Sequence, residues 1–70
     1  MKADIEALLS DYRNGERAYD KPAHDRLVAI HGRATGETRR LLSEADRVWS
    51  GDFSQTRVTH YLQAAAAAAE

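Results

Sequence analysis

The sequence predicts an all-α fold of three helices. In it, a long central helix and a C-terminal helix form an antiparallel hairpin, and a short N-terminal helix packs beside them. Apolar side chains recur at spacings of three and four along most of the chain, which is the period of a helix with one buried face. No alternating run of β-branched residues predicts a strand. The chain has 70 residues, so we expect residues 1–70 to form one small helical domain, a size at which the core often needs a partner.

The first helix is predicted over about residues 3–13. Asn14-Gly15 can end it, because both residue types tolerate the left-handed conformation that ends helices. The helical pattern can also continue to residue 19, so its end stays open. The apolar face of this helix holds Ile5, Leu8, Leu9 and Tyr12.

The second helix is predicted from Pro22 to Trp49. Asp20 can accept hydrogen bonds from its first amides, and proline is tolerated in a first helical turn. Gly32 and Gly36 interrupt the interior, and each costs about 1 kcal/mol relative to alanine. One alternative is a loop at GRATGE that divides this segment into two helices. We favour a continuous or kinked helix, because the apolar stripe keeps its phase over Leu27, Ile30, Ala34, Leu41, Ala45 and Val48.

The third helix is predicted over about residues 53–69. Gly51 suits a left-handed cap on the preceding helix, and Asp52 or Ser54 can begin the new one. The alanine run at residues 64–69 favours helix strongly and predicts either a frayed extension or a closely packed arm. The inward stripe consists of Val58, Tyr61, Leu62 and Ala65.

Composition argues against several kinds of site. The chain has no cysteine, so it has neither disulfides nor thiolate metal ligands. Asp20, His24 and His31 can share one helical face, but a zinc site needs three or four convergent ligands. A short helical chain also has little room for a pocket that excludes water. We therefore expect no enzymatic activity, no metal and no cofactor.

The chain also lacks the features of a membrane protein. No apolar run approaches the roughly 20 residues of a membrane span, and the N-terminus lacks the apolar region of a secretory signal. The net charge of −1 gives no overall attraction to nucleic acid or to an anionic membrane. We expect a soluble, cytoplasmic protein.

The function that we predict is that of a small, non-enzymatic protein–protein interaction or assembly module, such as an adaptor, an inhibitor or a subunit of a larger complex. A long apolar stripe in a short chain indicates association, either with a second copy or with another protein. Trp49 and Tyr61 would be the energetic anchors. The predicted contact residues are Leu27, Ile30, Leu41, Val48, Trp49, Val58, Tyr61 and Leu62.

An alternative function comes from the stretch FSQTRVTHYL. It resembles the start of the recognition helix of helix-turn-helix regulators in Phe53, Ser54, Thr56, Val58, Thr59 and Leu62. Upstream the chain departs from that pattern, because Arg47 stands four residues before Gly51, where the family usually has alanine. The resemblance implies a DNA-binding regulator whose contacts to phosphates and base edges come from Gln55, Thr56, Arg57, Thr59 and His60.

The arginines of the central helix distinguish these two functions. A DNA reader would leave Gln55, Arg57 and His60 on one solvent-facing side near Arg39, Arg40 or Arg47. A packing module would pair them with the neighbouring acids Glu37, Glu44 or Asp46.

A second resemblance lies at Trp49-Ser50-Gly51. This tripeptide resembles the Trp-X-Gly turn of the small helical-hairpin proteins exported by type VII systems, which implies a long helix on each side of the turn. The second arm is shorter here. Ala65 stands four residues after Tyr61, where the export signal of that family has an acid.

Overall fold

Four α-helices make up the part of the chain that the structure describes. The computed structural model describes the backbone of residues 1–15, 21–51 and 54–69, and the side chains of all of these except 13–15. These ranges contain no strand, which confirms the all-α class. The helices are α1 (Lys2–Gly15), α2 (Lys21–Arg33), α3 (Gly36–Ser50) and α4 (Gln55–Ala68).

The helices pack as a ring. Each packs against the next one along the chain, and α4 packs back against α1. Arg26 is paired with Asp11 and Arg33 with Asp4, so α1 and α2 run in opposite directions. The α2–α3 pair also runs in opposite directions, because His24 near the start of α2 contacts Asp46 near the end of α3. The α3–α4 and α4–α1 pairs do so as well, because the ends of α4 and the starts of α1 and α3 line one groove. The result is an up-down-up-down four-helix bundle.

One end of the bundle shows the direction of α4. Thr38, in the first turns of α3, lines a groove together with Ala68 and Ala69 at the end of α4, and Met1 lines the same groove. The predicted antiparallel hairpin is therefore formed by α3 and α4.

The core lies on the axis of this ring. Trp49 is fully buried, and its ring centroid lies 4.5 Å from that of Tyr12 on α1 and 5.7 Å from that of His24 on α2. Three helices therefore meet at one indole side chain. The other fully buried large side chains are Ile5, Leu8, Leu27, Leu42, Val58 and Leu62.

The predicted long helix from Pro22 to Trp49 is wrong in one respect, because the chain breaks at Ala34-Thr35 and forms α2 and α3. Thr35 is extended, with φ −139° and ψ 165°, and Gly36 has a φ of 60°. Glycine adopts this left-handed conformation without the steric cost that other residues incur. The alternative of two helices was therefore correct, although the link consists of Ala34-Thr35 alone and not of all of GRATGE. The stripe keeps its phase because both helices turn the same face to the core.

The turn between α3 and α4 follows the predicted stop and start. The amide of Gly51 donates to the carbonyl oxygens of Arg47 and Val48, at 3.0 and 3.2 Å. The predicted left-handed cap is wrong, because the φ of Gly51 is −97°. Glycine fits here for another reason: a Cβ would lie 3.0 Å from the Arg47 oxygen. Ser54 caps α4 by accepting a hydrogen bond from the amide of Arg57.

The predicted ends of the remaining elements agree with the structure only in part. Pro22 lies in the first turn of α2, and α4 continues through most of the alanine run, with Ala65 and Ala66 buried. The proposed caps Asp20 and Asp52, and the continuation of the first helix to residue 19, lie outside the described residues. In the described part of the chain, none of the helices has the length and apolarity needed to cross a membrane.

Candidate interaction surface

Most of the predicted contact residues lie inside the bundle. In this fold a partner could reach the buried ones only if the helices separated. Tyr61 is half-buried and packs against the edge of the core. The buried ones are Leu27, Ile30, Leu41, Val48, Trp49, Val58 and Leu62.

The outer side of α4 carries the residues of the DNA-binding alternative. Val58 and Leu62 turn inward, and the helical period therefore turns the polar positions between them outward. An open groove of about 520 Å³ runs along this side. Its described lining residues are Gln55, Thr56, Thr59, His60 and Gln63.

This α4 surface, which we define by those five lining residues, is uncharged apart from the titratable His60. Residues 55–69 contain no acid and a single arginine, Arg57, although 30% of the chain is charged. Amide and hydroxyl side chains provide both donors and acceptors there. The surface can therefore form hydrogen bonds without first removing water from a formal charge.

The outer faces of the other helices carry ion pairs instead. Arg40 donates two hydrogen bonds to Glu37, at 2.8 and 2.6 Å, and these lower the pKa of the Glu37 carboxyl. Arg47 donates to Glu44 and lowers its pKa in the same way. On α2, Lys21 is paired with Asp25. Such exposed pairs contribute little to stability, but each of these charged side chains already has an oppositely charged neighbour on its own helix.

The arginines of α3 contact groups of the chain itself. Arg40 and Arg47 are paired with acids on α3, and the guanidinium of Arg39 lies 3.5 Å from the carbonyl oxygen of Ala34. Gln55, Arg57 and His60 are nevertheless exposed, as the DNA-binding alternative requires.

The arrangement of α3 and α4 also differs from a helix-turn-helix pair. The two helices of that motif cross at roughly 90–120°. Here α4 returns alongside α3, so that Ala68 lies beside Thr38. The bundle likewise differs from the long two-helix hairpin that the Trp49-Ser50-Gly51 resemblance implies.

Two histidines on α2 form polar contacts with α3. His24 Nε2 lies 2.5 Å from Asp46 Oδ1, and Ser50 Oγ donates to the same carboxylate oxygen at 3.3 Å. About two turns closer to the break, His31 Nε2 lies 2.7 Å from Ser43 Oγ. The His24–Asp46 contact places the first turn of α2 beside the last turns of α3, so these two helices also run in opposite directions.

The structure does not gather the histidines into a metal site. His24 and His31 are engaged with different α3 residues, and Asp20 lies outside the described residues. No group of three or more histidine, aspartate or glutamate side chains within the described ranges could hold a metal ion.

Two polar atoms in the core have no hydrogen-bond partner among the described residues. The Tyr12 hydroxyl and Trp49 Nε1 are buried, and neither makes a hydrogen bond to any residue that the structure describes. Burial also raises the pKa of the Tyr12 hydroxyl, because the interior disfavours its ionised form.

Sequence reasoning missed Gln63 as a surface residue. It interrupts the sequence between Leu62 and the alanine run, and it lies four residues after Thr59, so it belongs on the same side of α4. That spacing was the signal that could have placed it beside His60 in the groove.

Comparison with protein-family models, with curated proteins and with solved structures finds no match to this chain.

Proposed function

We propose that the chain is a small, non-enzymatic interaction module and that the α4 surface is where it docks to another protein. The observation that carries this proposal is that the described residues lining the groove, which are Gln55, Thr56, Thr59, His60 and Gln63, include no acid, lysine or arginine. The centres of protein interfaces are depleted of charged residues, whereas ordinary exposed faces are not. Its compartment would be the cytoplasm, as the lack of cysteine suggests.

The burial of the apolar stripe supports a self-contained module. Its own helices cover Leu27, Trp49 and Leu62 completely, so the bundle can present α4 without lending core residues to the partner. Docking on such a polar surface would depend on hydrogen bonds and shape rather than on large apolar anchors.

Charge placed on the α4 surface tests this proposal. We expect the Thr56→Glu/Gln63→Glu variant to lose partners that the wild-type chain captures from a lysate of its source cells, measured by quantitative mass spectrometry. The matched control, Val28→Glu/Ala29→Glu, adds the same charge to the exposed side of α2 and should keep those partners. Equal recovery by both variants, or no specific partner of the wild-type chain, would refute the proposal.

The DNA-binding alternative has its own measurement. It rests on the exposure of Gln55, Arg57 and His60, and it predicts that Arg57→Ala weakens binding to a DNA duplex at low salt without lowering the melting temperature. Fluorescence polarisation with a labelled duplex decides this point, and an absence of binding by the wild-type chain would eliminate the alternative.

A further inference from the structure

The link between α2 and α3 is only two residues long and is weakly specified. Thr35 precedes the first turn of α3, but its side chain makes no capping hydrogen bond within the described part of the chain. The amide of Ala34 donates to His31 in a tight last turn, at 3.2 Å. The positive φ of Gly36 is therefore the clearest local feature that keeps the two helices apart.

The buried stripe does not require this break. Ile30, Ala34, Thr38 and Leu41 are all buried, at spacings of four, four and three. A continuous helix through these positions would turn the same side chains to one face. It would also add the helical hydrogen bonds that the amides following Ala34 lack at a break.

We propose that residues 34–36 are a hinge and that the partner it admits is a second copy of this chain. When the hinge straightens, α2 and α3 become one helix, and the α1–α2 pair of each chain packs against the α3–α4 pair of the other. The packing of α2 on α3 and of α4 on α1 then forms again between chains, including the His24–Asp46 contact. Exchange of identical elements through a short hinge is a low-cost route to a dimer. This inference goes beyond the proposed function, because it does not use the α4 surface.

Substitutions at Gly36 isolate the backbone contribution of the hinge. A Cβ at this position would meet no heavy atom within 4 Å, so alanine adds no clash and only disfavours the left-handed conformation. Asparagine at Gly36 is the matched control, because it tolerates that conformation. Gly32→Ala is the second control, since Gly32 lies within a helix in both arrangements and a Cβ there also meets nothing within 4 Å.

Sedimentation equilibrium of the purified variants measures the outcome. Alanine at position 36 disfavours the left-handed backbone of the closed monomer but fits the continuous helix of the exchanged dimer. Both chains of the dimer contribute this difference. We therefore expect Gly36→Ala to lower the dimer dissociation constant by about 10²-fold relative to the wild-type chain. Gly36→Asn and Gly32→Ala should stay within a few-fold of the wild type. A folded Gly36→Ala chain that dimerises no more strongly than Gly36→Asn would overturn the proposal.

A cross-link identifies which elements are exchanged. The sequence contains no cysteine, so introduced cysteines can be labelled selectively. Because His31 Nε2 lies 2.7 Å from Ser43 Oγ, the pair His31→Cys/Ser43→Cys can be bridged by a short bis-maleimide. A closed monomer is bridged within one chain, whereas an exchanged dimer is bridged between two chains and runs as a dimer on a denaturing gel. Bridging within one chain in a sample that sediments as a dimer would overturn the proposal.

The same cross-link in an otherwise wild-type chain keeps the test independent of how the Gly36→Ala variant folds. Bridging between chains should rise with protein concentration, and bridging that stays within one chain at every concentration would refute exchange. Failure here would leave the α4 proposal standing, because the lysate capture tests a different surface.

Discussion

Removing the hydroxyl of Tyr12 should stabilise the bundle. The side chain is 3% exposed, and its hydroxyl has no hydrogen-bond partner among the described residues. A buried polar group without a partner costs about 1–3 kcal/mol of desolvation. Tyr12→Phe removes that cost and keeps the ring contact with Trp49. It loses only the van der Waals contacts of the hydroxyl oxygen. We expect a net gain of about 1 kcal/mol, which for a domain of this size raises the melting temperature by about 4–8 °C.

Urea denaturation followed by tryptophan fluorescence measures this change, because Trp49 is the single tryptophan and is fully buried. The denaturation midpoint should rise while the slope stays the same. Tyr61→Phe is the matched control: this half-buried side chain should shift the free energy of unfolding by no more than about 0.5 kcal/mol. A loss of stability in Tyr12→Phe would refute the reasoning, because it would mean that the hydroxyl has a hydrogen-bond partner in solution.

The remaining predictions concern the core, the cap, the turn and pH. Leu62→Ala should lower the free energy of unfolding by about 2–5 kcal/mol in the same urea assay, because this side chain is fully buried. Ser54→Ala should cost about 1 kcal/mol through the lost cap. Gly51→Ala should lower the melting temperature measured by calorimetry, because the added Cβ would lie 3.0 Å from the Arg47 carbonyl oxygen. An unchanged melting temperature would contradict this. The wild-type chain should lose stability above about pH 10, where the unfolded state releases the Tyr12 proton before the folded state does, and Tyr12→Phe should lose less.

The parts of the fold that depend on local pattern were predictable from the sequence. The apolar positions of α1, α3 and α4 follow the helical period, and their burial confirms the faces assigned to Ile5, Val48 and Leu62. The break at Ala34-Thr35 was not predictable in the same way, because an in-phase stripe is compatible with either a long helix or a folded pair. Glycine permits the left-handed turn at Gly36 without requiring it.

The candidate surface was only partly predictable, for a physical reason. Short spacings along α4 place Thr56, Thr59 and His60 together, and the sequence indicates this directly. Which apolar residues remain exposed depends on how many helices close around the core, and a fourth helix in the ring left Trp49 no exposed surface. Contacts such as that of His24 with Asp46, 22 residues apart, depend on that closure and have no local signal.

The groove shared by Met1, Thr38 and Ala69 has a consequence for the order of the helices. Because the start of α1 lies beside the end of α4, a short linker between them would close the backbone into a circle. New termini opened at Ala34-Thr35 would then give the order α3, α4, α1, α2 with the same four packings. In such a circular permutant the peptide bond that would join α2 to α3 no longer exists, so the chain would keep the bundle and lose its route to the exchanged dimer.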